Sequence, residues 1–224
     1  MTGQASDQNN GNPFKKLTGL SVLATLVISF WAYPRLPYRV PSHWNVAGEI
    51  DGYSSAFSGA FLLPLITLAM WLFFLLIPLI DPRKDNYKKM GKVFWLFSFT
   101  VILFLCLLHL GILMITLGML KTSLVPLLSF AGIGVLFIVI GFYMGKIKHN
   151  YFFGIRTPWT LASEEVWNKT HRTVGPWWVV SGVIFLMLGF LPKYLMVPLL
   201  FIIIVVLALG SAVYSYIVYR SINR

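Results

Sequence analysis

The chain has 224 residues, 58% of them hydrophobic and only 11% charged, with 18 Lys or Arg against 7 Asp or Glu. Its mean hydropathy of +0.77 lies far from that of a soluble domain, which is about half apolar and a quarter charged, so soluble enzymes and free nucleic-acid-binding domains are excluded. A single cysteine, Cys106, excludes an intrachain disulfide and a multi-cysteine metal site.

The chain opens on MTGQASDQNNGN, which has no apolar period to bury, so residues 1–13 are read as a disordered polar tail. Apolar blocks follow at about 16–33, 59–80, 93–118, 124–145, 176–192 and 196–218, each near the roughly 20 residues a helix needs to cross the hydrocarbon core. Strand-type alternation is absent, which disfavours a β-barrel. The predicted fold is an all-α integral membrane protein, a bundle of six transmembrane helices divided into an N-terminal part, 14–92, and a C-terminal part, 93–224. Lys15 and Lys16 precede the first block as in a signal peptide, but Trp31-Ala32-Tyr33-Pro34 is a poor cleavage site, so a retained helix is expected.

Charge sets the expected orientation. With the N-terminus in the cytoplasm, fourteen basic residues fall inside and four, Arg35, Arg39, Lys121 and Lys193, fall outside, the bias that places both termini in the cytoplasm. The net charge of +11 therefore reports topology rather than nucleic acid. It adds an attraction to anionic membrane lipid of about 1 kcal/mol per basic residue near the surface.

Three connections are long enough to hold a site. The outer one, 34–58, contains PSHWNVAGEIDGY at 41–53, in which Gly48 and Gly52 permit turns and His43, Asn45, Glu49 and Asp51 are candidate ligand-binding groups. His43, Glu49 and Asp51 are metal-ligand types, but their spacing matches no ligand signature, and no metal or cofactor is assigned. The alternative is a loop held by its own hydrogen bonds, with Trp44 and Tyr53 at the membrane interface. The middle connection, DPRKDNYKK, reads as a helix stop at Asp81-Pro82 followed by a solvated basic anchor.

Between these lie weaker signals. Pro64 and Pro78 are potential breaks in the second block, and His109 is an ionisable group at membrane depth, either functional or hydrogen-bonded for packing. Gly141 and Gly145 form a GxxxG that permits close helix approach. No Asp, Glu, Lys or Arg lies inside the apolar blocks, which argues against an ion-coupled transporter. No phosphate loop, HExxH or GxSxG is present, and no nucleophile is paired with a base. The chain is read as a non-enzyme.

The inner connection holds the richest segment, NYFFGIRTPWTLASEEVWNKTHR at 150–172. Pro158 biases Thr157 away from helix, and Ser163 followed by Glu164 and Glu165 reads as an N-cap with acids in the first turn. A short helix over 164–172 follows. Helical phase puts Glu164, Asn168, Arg172, Glu165 and Lys169 on one arc and Val166, Thr170 and Trp167 on the opposite one, with His171 at the boundary. One reading is an interfacial helix with Trp167 among the headgroups and Glu165 paired with Lys169 for a few tenths of a kcal/mol. The other adds Arg156, pairing with Glu164 or Glu165 across the Pro158 turn to make a partner-docking surface.

The outer PSHWNVAGEIDGY resembles the signature of the DUF1648 family, and the inner NYFFGIRTPWTLASEEVWNKTHR resembles that of the SdpI family. The pair in this order, with six helices, resembles SdpI-type immunity proteins over nearly the whole chain after the tail. The resemblance implies a multi-pass protein of the bacterial plasma membrane that protects its producer against a secreted antimicrobial peptide of the sporulation-delaying type. It also implies, in some systems, signalling by holding a small DNA-binding repressor at the membrane. The residues that carry over are Asn150, Gly154, Arg156, Thr157, Pro158, Thr160, Trp167 and His171 inside, and Pro41, His43, Asn45, Gly48, Asp51 and Gly52 outside. Two other functions stay open on the residues alone: a small-molecule or lipid transporter or channel, and a membrane enzyme with a metal at His43, Glu49 and Asp51.

Overall fold

The computed structural model describes residues 12–45 and 49–223, and of Lys193 the backbone alone. The tail before Asn12 and the turn residue Gly48 lie outside the described residues. In chain order the elements are α1 (Pro13–Ala32), a tight turn at Tyr33–Arg35, β1 (Arg39–Trp44), β2 (Ile50–Ser55), α2 (Ala56–Ile80), α3 (Lys84–Met90), α4 (Lys92–Thr116), α5 (Val125–Met144), α6 (Pro158–Ala162), α7 (Glu164–Leu188), α8 (Lys193–Val205) and α9 (Ser211–Ile222). A π turn at Val206–Gly210 joins α8 to α9.

Five helical spans, 13–35, 56–80, 92–116, 122–144 and 194–222, are long and apolar enough to cross a membrane. The sixth predicted block, 176–192, falls in α7, whose 25 residues begin with two turns carrying Glu164, Glu165, Lys169 and Arg172. A separate short helix over 164–172 was expected ahead of that block, and the structure corrects this: both belong to one helix that runs through Pro176. The missing proline N–H leaves only the carbonyl of exposed Arg172 without its helical partner, and Gly175 before the ring offers no side chain to clash with it. Likewise α2 continues through Pro64 and Pro78.

The outer segment corrects the all-α expectation. β1 and β2 form an antiparallel hairpin, registered from Arg39 opposite Ser55 to Trp44 opposite Ile50, with irregularities on either side of His43. Pro41 and Gly52 lower strand propensity and mask the alternation. The hairpin docks on α2 through Val40, fully buried, against Gly59, where a Cβ would come within 2.5 Å of Val40 Cγ1.

Helix packing is set by small residues. α5 and α7 run antiparallel and meet at Gly134 with Gly182 and at Gly141 with Gly175, where an added Cβ would lie 2.6–2.8 Å from the facing carbonyl oxygen. Gly145 of the expected GxxxG is in ordinary contact, 3.5 Å from Arg172 Cα, so the close approach follows a seven-residue spacing on both helices instead. On the other side α1 presents buried Thr18, Val22, Thr25, Ser29 and Ala32 to the bundle, with Ser29 Oγ 2.8 Å from His109 Nε2 of α4. His109 is thus buried and hydrogen-bonded through Nε2, while its buried Nδ1 has no hydrogen-bond partner among the described residues.

A core of Val22, Phe74, Ile77, Phe94, Ile102, Ile147, Phe153 and Trp167 ties α1, α2 and α4 to the inner connection. A second core, Phe185, Leu188, Met196, Ile203 and Leu207, joins α7 to α8 and the π turn. The hairpin and the inner connection lie at opposite ends of the 25-residue α2, about 37 Å apart at 1.5 Å per residue.

Candidate functional site

The inner site is a hydrogen-bonded knot built on Asn150, which is fully buried. Its Oδ1 accepts from the backbone N–H of Phe152 at 2.8 Å and of Phe153 at 2.9 Å, and its Nδ2 donates to the carbonyls of Lys148 at 2.9 Å and Phe153 at 3.0 Å. All four hydrogen-bonding positions of the amide are used, so neither Asp nor Leu reproduces them. The turn delivers Phe153 into the core, 5.1 Å from the Phe97 ring and 5.7 Å from Phe94.

The next residue, Gly154, has φ +109, and an added Cβ would lie 2.6 Å from His171 Nε2 and 3.1 Å from the Trp167 ring. This close approach lets the N–H of Ile155 donate to His171 Nε2 at 2.9 Å, while His171 Nδ1–H donates to the Trp167 carbonyl at 2.8 Å. The ring is therefore neutral, with its proton on Nδ1. Burial lowers its pKa, opposed by its hydrogen bond to Trp167. Trp167 stacks on it at 4.0 Å and donates Nε1–H to the Ile147 carbonyl at 2.8 Å.

The faces of the first turns of α7 follow the predicted phase: Val166, Trp167, Thr170 and His171 are buried, and Glu164, Glu165, Lys169 and Arg172 are exposed. The environment differs from an interfacial helix, because Trp167 is sealed inside protein with its donor satisfied rather than seated among headgroups. Ser163 caps α7, accepting from Val166 N–H at 3.4 Å, and Lys169 pairs with Glu165 at 2.9 Å.

Arg156 makes a different contact from the one expected. Its Nη1 donates to the Tyr151 carbonyl at 3.0 Å, and no ion pair joins it to Glu164 or Glu165 among the described residues. The pairing fails because Thr157 and Pro158 begin a helix of their own, α6, which separates the two charges. Thr157 and Thr160 cap α6 reciprocally, buried Thr160 Oγ1 donates to the Ile155 carbonyl at 2.7 Å, and Thr157 Oγ1 lies 2.9 Å from Ser215 Oγ of α9.

Sequence reasoning missed the platform beneath the knot. Asp81, read as a helix stop, is only 2% exposed and accepts from Tyr87 O–H at 2.7 Å, from Tyr151 N–H at 3.0 Å and from Arg83 N–H at 2.7 Å. Burial, and then the Asp81 carboxylate, push the Tyr87 hydroxyl well above its ordinary pKa, so it remains a donor. Asn86 donates to the His149 carbonyl at 2.7 Å, and Arg83 donates to the Leu161 carbonyl at 3.3 Å with its guanidinium 4.5 Å from the Tyr151 ring. Asp81, Arg83, Asn86 and Tyr87 thus dock this strip onto the inner connection, while Lys84, Lys88 and Lys89 stay exposed as a basic anchor would. One of only 7 acidic residues placed directly after an apolar run was the available signal.

At the other end, His43 Nδ1 pairs with Asp51 Oδ1 across the hairpin. Asn45 donates to Glu49 Oε2 at 2.8 Å and accepts from the Glu49 N–H at 3.1 Å. His43, Glu49 and Asp51 therefore sit in two separate pairs, and no group of three or more His, Cys, Asp or Glu suited to a metal ion occurs among the described residues. Of the inner candidates, Asn150, Thr160, Trp167 and His171 face the interior, whereas Arg156, Pro158, Glu164 and Glu165 are exposed.

Residues 146–215 match the SdpI/YfhL protein family, and residues 20–68 match DUF1648, a domain of unknown function. The chain is 26% identical over 204 residues to the immunity protein SdpI of Bacillus subtilis (strain 168), covering 91% of this chain and 93% of that protein. No solved structure matches. The knot, α6, α7 and the Ser215 contact all lie within the first matched region, and β1, β2 and their seat on α2 within the second. The chain thus carries a DUF1648 match at 20–68 and an SdpI/YfhL family match at 146–215, and along most of its length it is similar to an immunity protein.

Proposed function

We propose that this protein is a non-catalytic immunity protein of the bacterial plasma membrane, protecting against a secreted antimicrobial peptide of the sporulation-delaying type. The observation that carries this reading is similarity to an immunity protein along 91% of the chain, supported by an outer hairpin and an inner knot at opposite ends of the same helices. In this reading the hairpin and outer helix ends meet the peptide. The knot and the Asp81 platform hold the inner ends in register, because Asp81 at the end of α2 accepts from Tyr87 of α3 and from Tyr151 N–H, and His171 of α7 accepts from Ile155 N–H, only when these segments are docked together. α7 serves as a sixth crossing, both termini lie in the cytoplasm, and the exposed Arg156, Glu164 and Glu165 form the surface for a cytoplasmic partner such as a small repressor.

The test is expression of the chain in a strain sensitive to the sporulation-delaying peptide toxin of bacilli. Survival of the expressing strain is expected, and unchanged killing sinks the immunity reading. Arg156→Glu separates the partner surface from the fold: membrane level and unfolding are expected to stay as in wild type, while any partner-dependent reporter response is lost.

A further inference from the structure

A cavity of about 880 Å3 forms a groove between α4 and α5 at the outer end of the bundle. Its size is that of a ligand site. The walls are almost wholly apolar, with Leu107 and Gly111 on α4 and Leu128 and Gly132 on α5. Leu107 is 58% and Leu128 48% exposed, so the groove opens sideways as well as outward.

The rim identifies the occupant. Ser42, His43, Trp44 and Asn45, consecutive along the end of β1, all line the groove. The irregularities on either side of His43 break the strict alternation of side chains between faces, so four successive residues of this end of β1 meet the one cavity. The sheet has two strands, and β1 has no backbone hydrogen bond to any element other than β2 among the described residues. An unpaired edge is a template for another extended chain. Trp44 adds an indole N–H that is buried without an acceptor. An acyl chain satisfies neither feature, whereas a peptide backbone supplies both donors and carbonyls.

We propose that this groove binds one extended, apolar peptide segment arriving from outside, which adds as a strand to the free edge of β1 and lowers alternate side chains between α4 and α5. The proposal rests on the immunity reading and names the site of that activity. The His43–Asp51 pair on the same hairpin stands at the solvated mouth, where the polar end of such a segment emerges.

Gly111 gives a direct test, since an added Cβ there meets nothing within 4 Å. Gly111→Phe fills the groove without colliding with the backbone. The protein is reconstituted in vesicles of phosphatidylglycerol and phosphatidylethanolamine, with photoreactive benzoylphenylalanine in place of Leu107 or, as a membrane-facing control, of Phe201, which is 67% exposed. The probe is the purified sporulation-delaying peptide of bacilli. Crosslinking at 107 is expected to exceed that at 201 by at least about tenfold, and Gly111→Phe is expected to abolish both that crosslink and protection while its unfolding midpoint stays at or above wild type. If the wild type protects but the peptide reacts equally at both positions, or only phospholipid reacts at 107, or Gly111→Phe protects fully, the groove is overturned and the immunity reading stands. If the wild type neither protects nor crosslinks, both fall.

Discussion

Replacing Gly154 by alanine isolates the contact on which the inner knot closes. Two costs add. The backbone sits at φ +109, where an L side chain is strained by about 1–3 kcal/mol. The new Cβ, 2.6 Å from His171 Nε2 and 3.1 Å from the Trp167 ring, must also push the ring stack away, at about 1–3 kcal/mol for overpacking. Displacing His171 loses the bond from Ile155 N–H, another 1 kcal/mol or so, so the loss totals about 3–7 kcal/mol. Gly118 provides the control, because it has φ +73 with nothing within 4 Å of an added Cβ. Gly118→Ala should cost the backbone strain alone. Equilibrium unfolding of both variants in mixed micelles by titration with a denaturing detergent measures the difference. Equal destabilisation of the two, or a Gly154→Ala loss below about 1 kcal/mol, refutes the claim that the Gly154–His171–Trp167 contact closes the knot.

Other consequences follow from the same geometry. Asp81→Ala leaves the Tyr87 hydroxyl and the Tyr151 and Arg83 amides without their acceptor, and is expected to lower stability by about 3–5 kcal/mol; protease resistance of the inner connection in membranes reports it. Gly141→Ala drives a Cβ to 2.6 Å from the Gly175 carbonyl, while Gly145→Ala meets only Arg172, at 3.5 Å from its Cα. The first should cost about 1–3 kcal/mol by overpacking, and the second should stay within about 0.5 kcal/mol, both read by thermal unfolding. His149 and His171 have pKa values lowered from 6.5, in both cases chiefly by burial. The unfolded chain therefore takes up protons before the folded one, so stability is present above about pH 6.5 and is lost as pH falls below it. Unfolding midpoints at pH 7.5 and pH 5 measure the fall, and His171→Gln should flatten it.

Local chemistry was legible where the physics is local. Composition alone implied membrane helices, because only apolar runs of this length bury every backbone hydrogen bond in lipid. The cap at Ser163, the buried face of the first turns of α7 and the pairing of Glu165 with Lys169 followed from residues within four positions of one another. The two signatures marked the regions that match known families. Tertiary structure decided what depends on long separations. Asp81 does stop α2, as its place before Pro82 indicated, but its second role appears only when Tyr151, 70 residues away, places a donor on its carboxylate. Arg156 looked like a partner for Glu164 until α6 intervened, and Trp167 looked interfacial until the Ile147 carbonyl met its indole. The continuity of α7 through Pro176 and the free edge of β1 above the α4–α5 groove are likewise absent from any local pattern. In each case the deciding quantity is which desolvated polar group finds which partner, and that is settled only when distant segments are packed together.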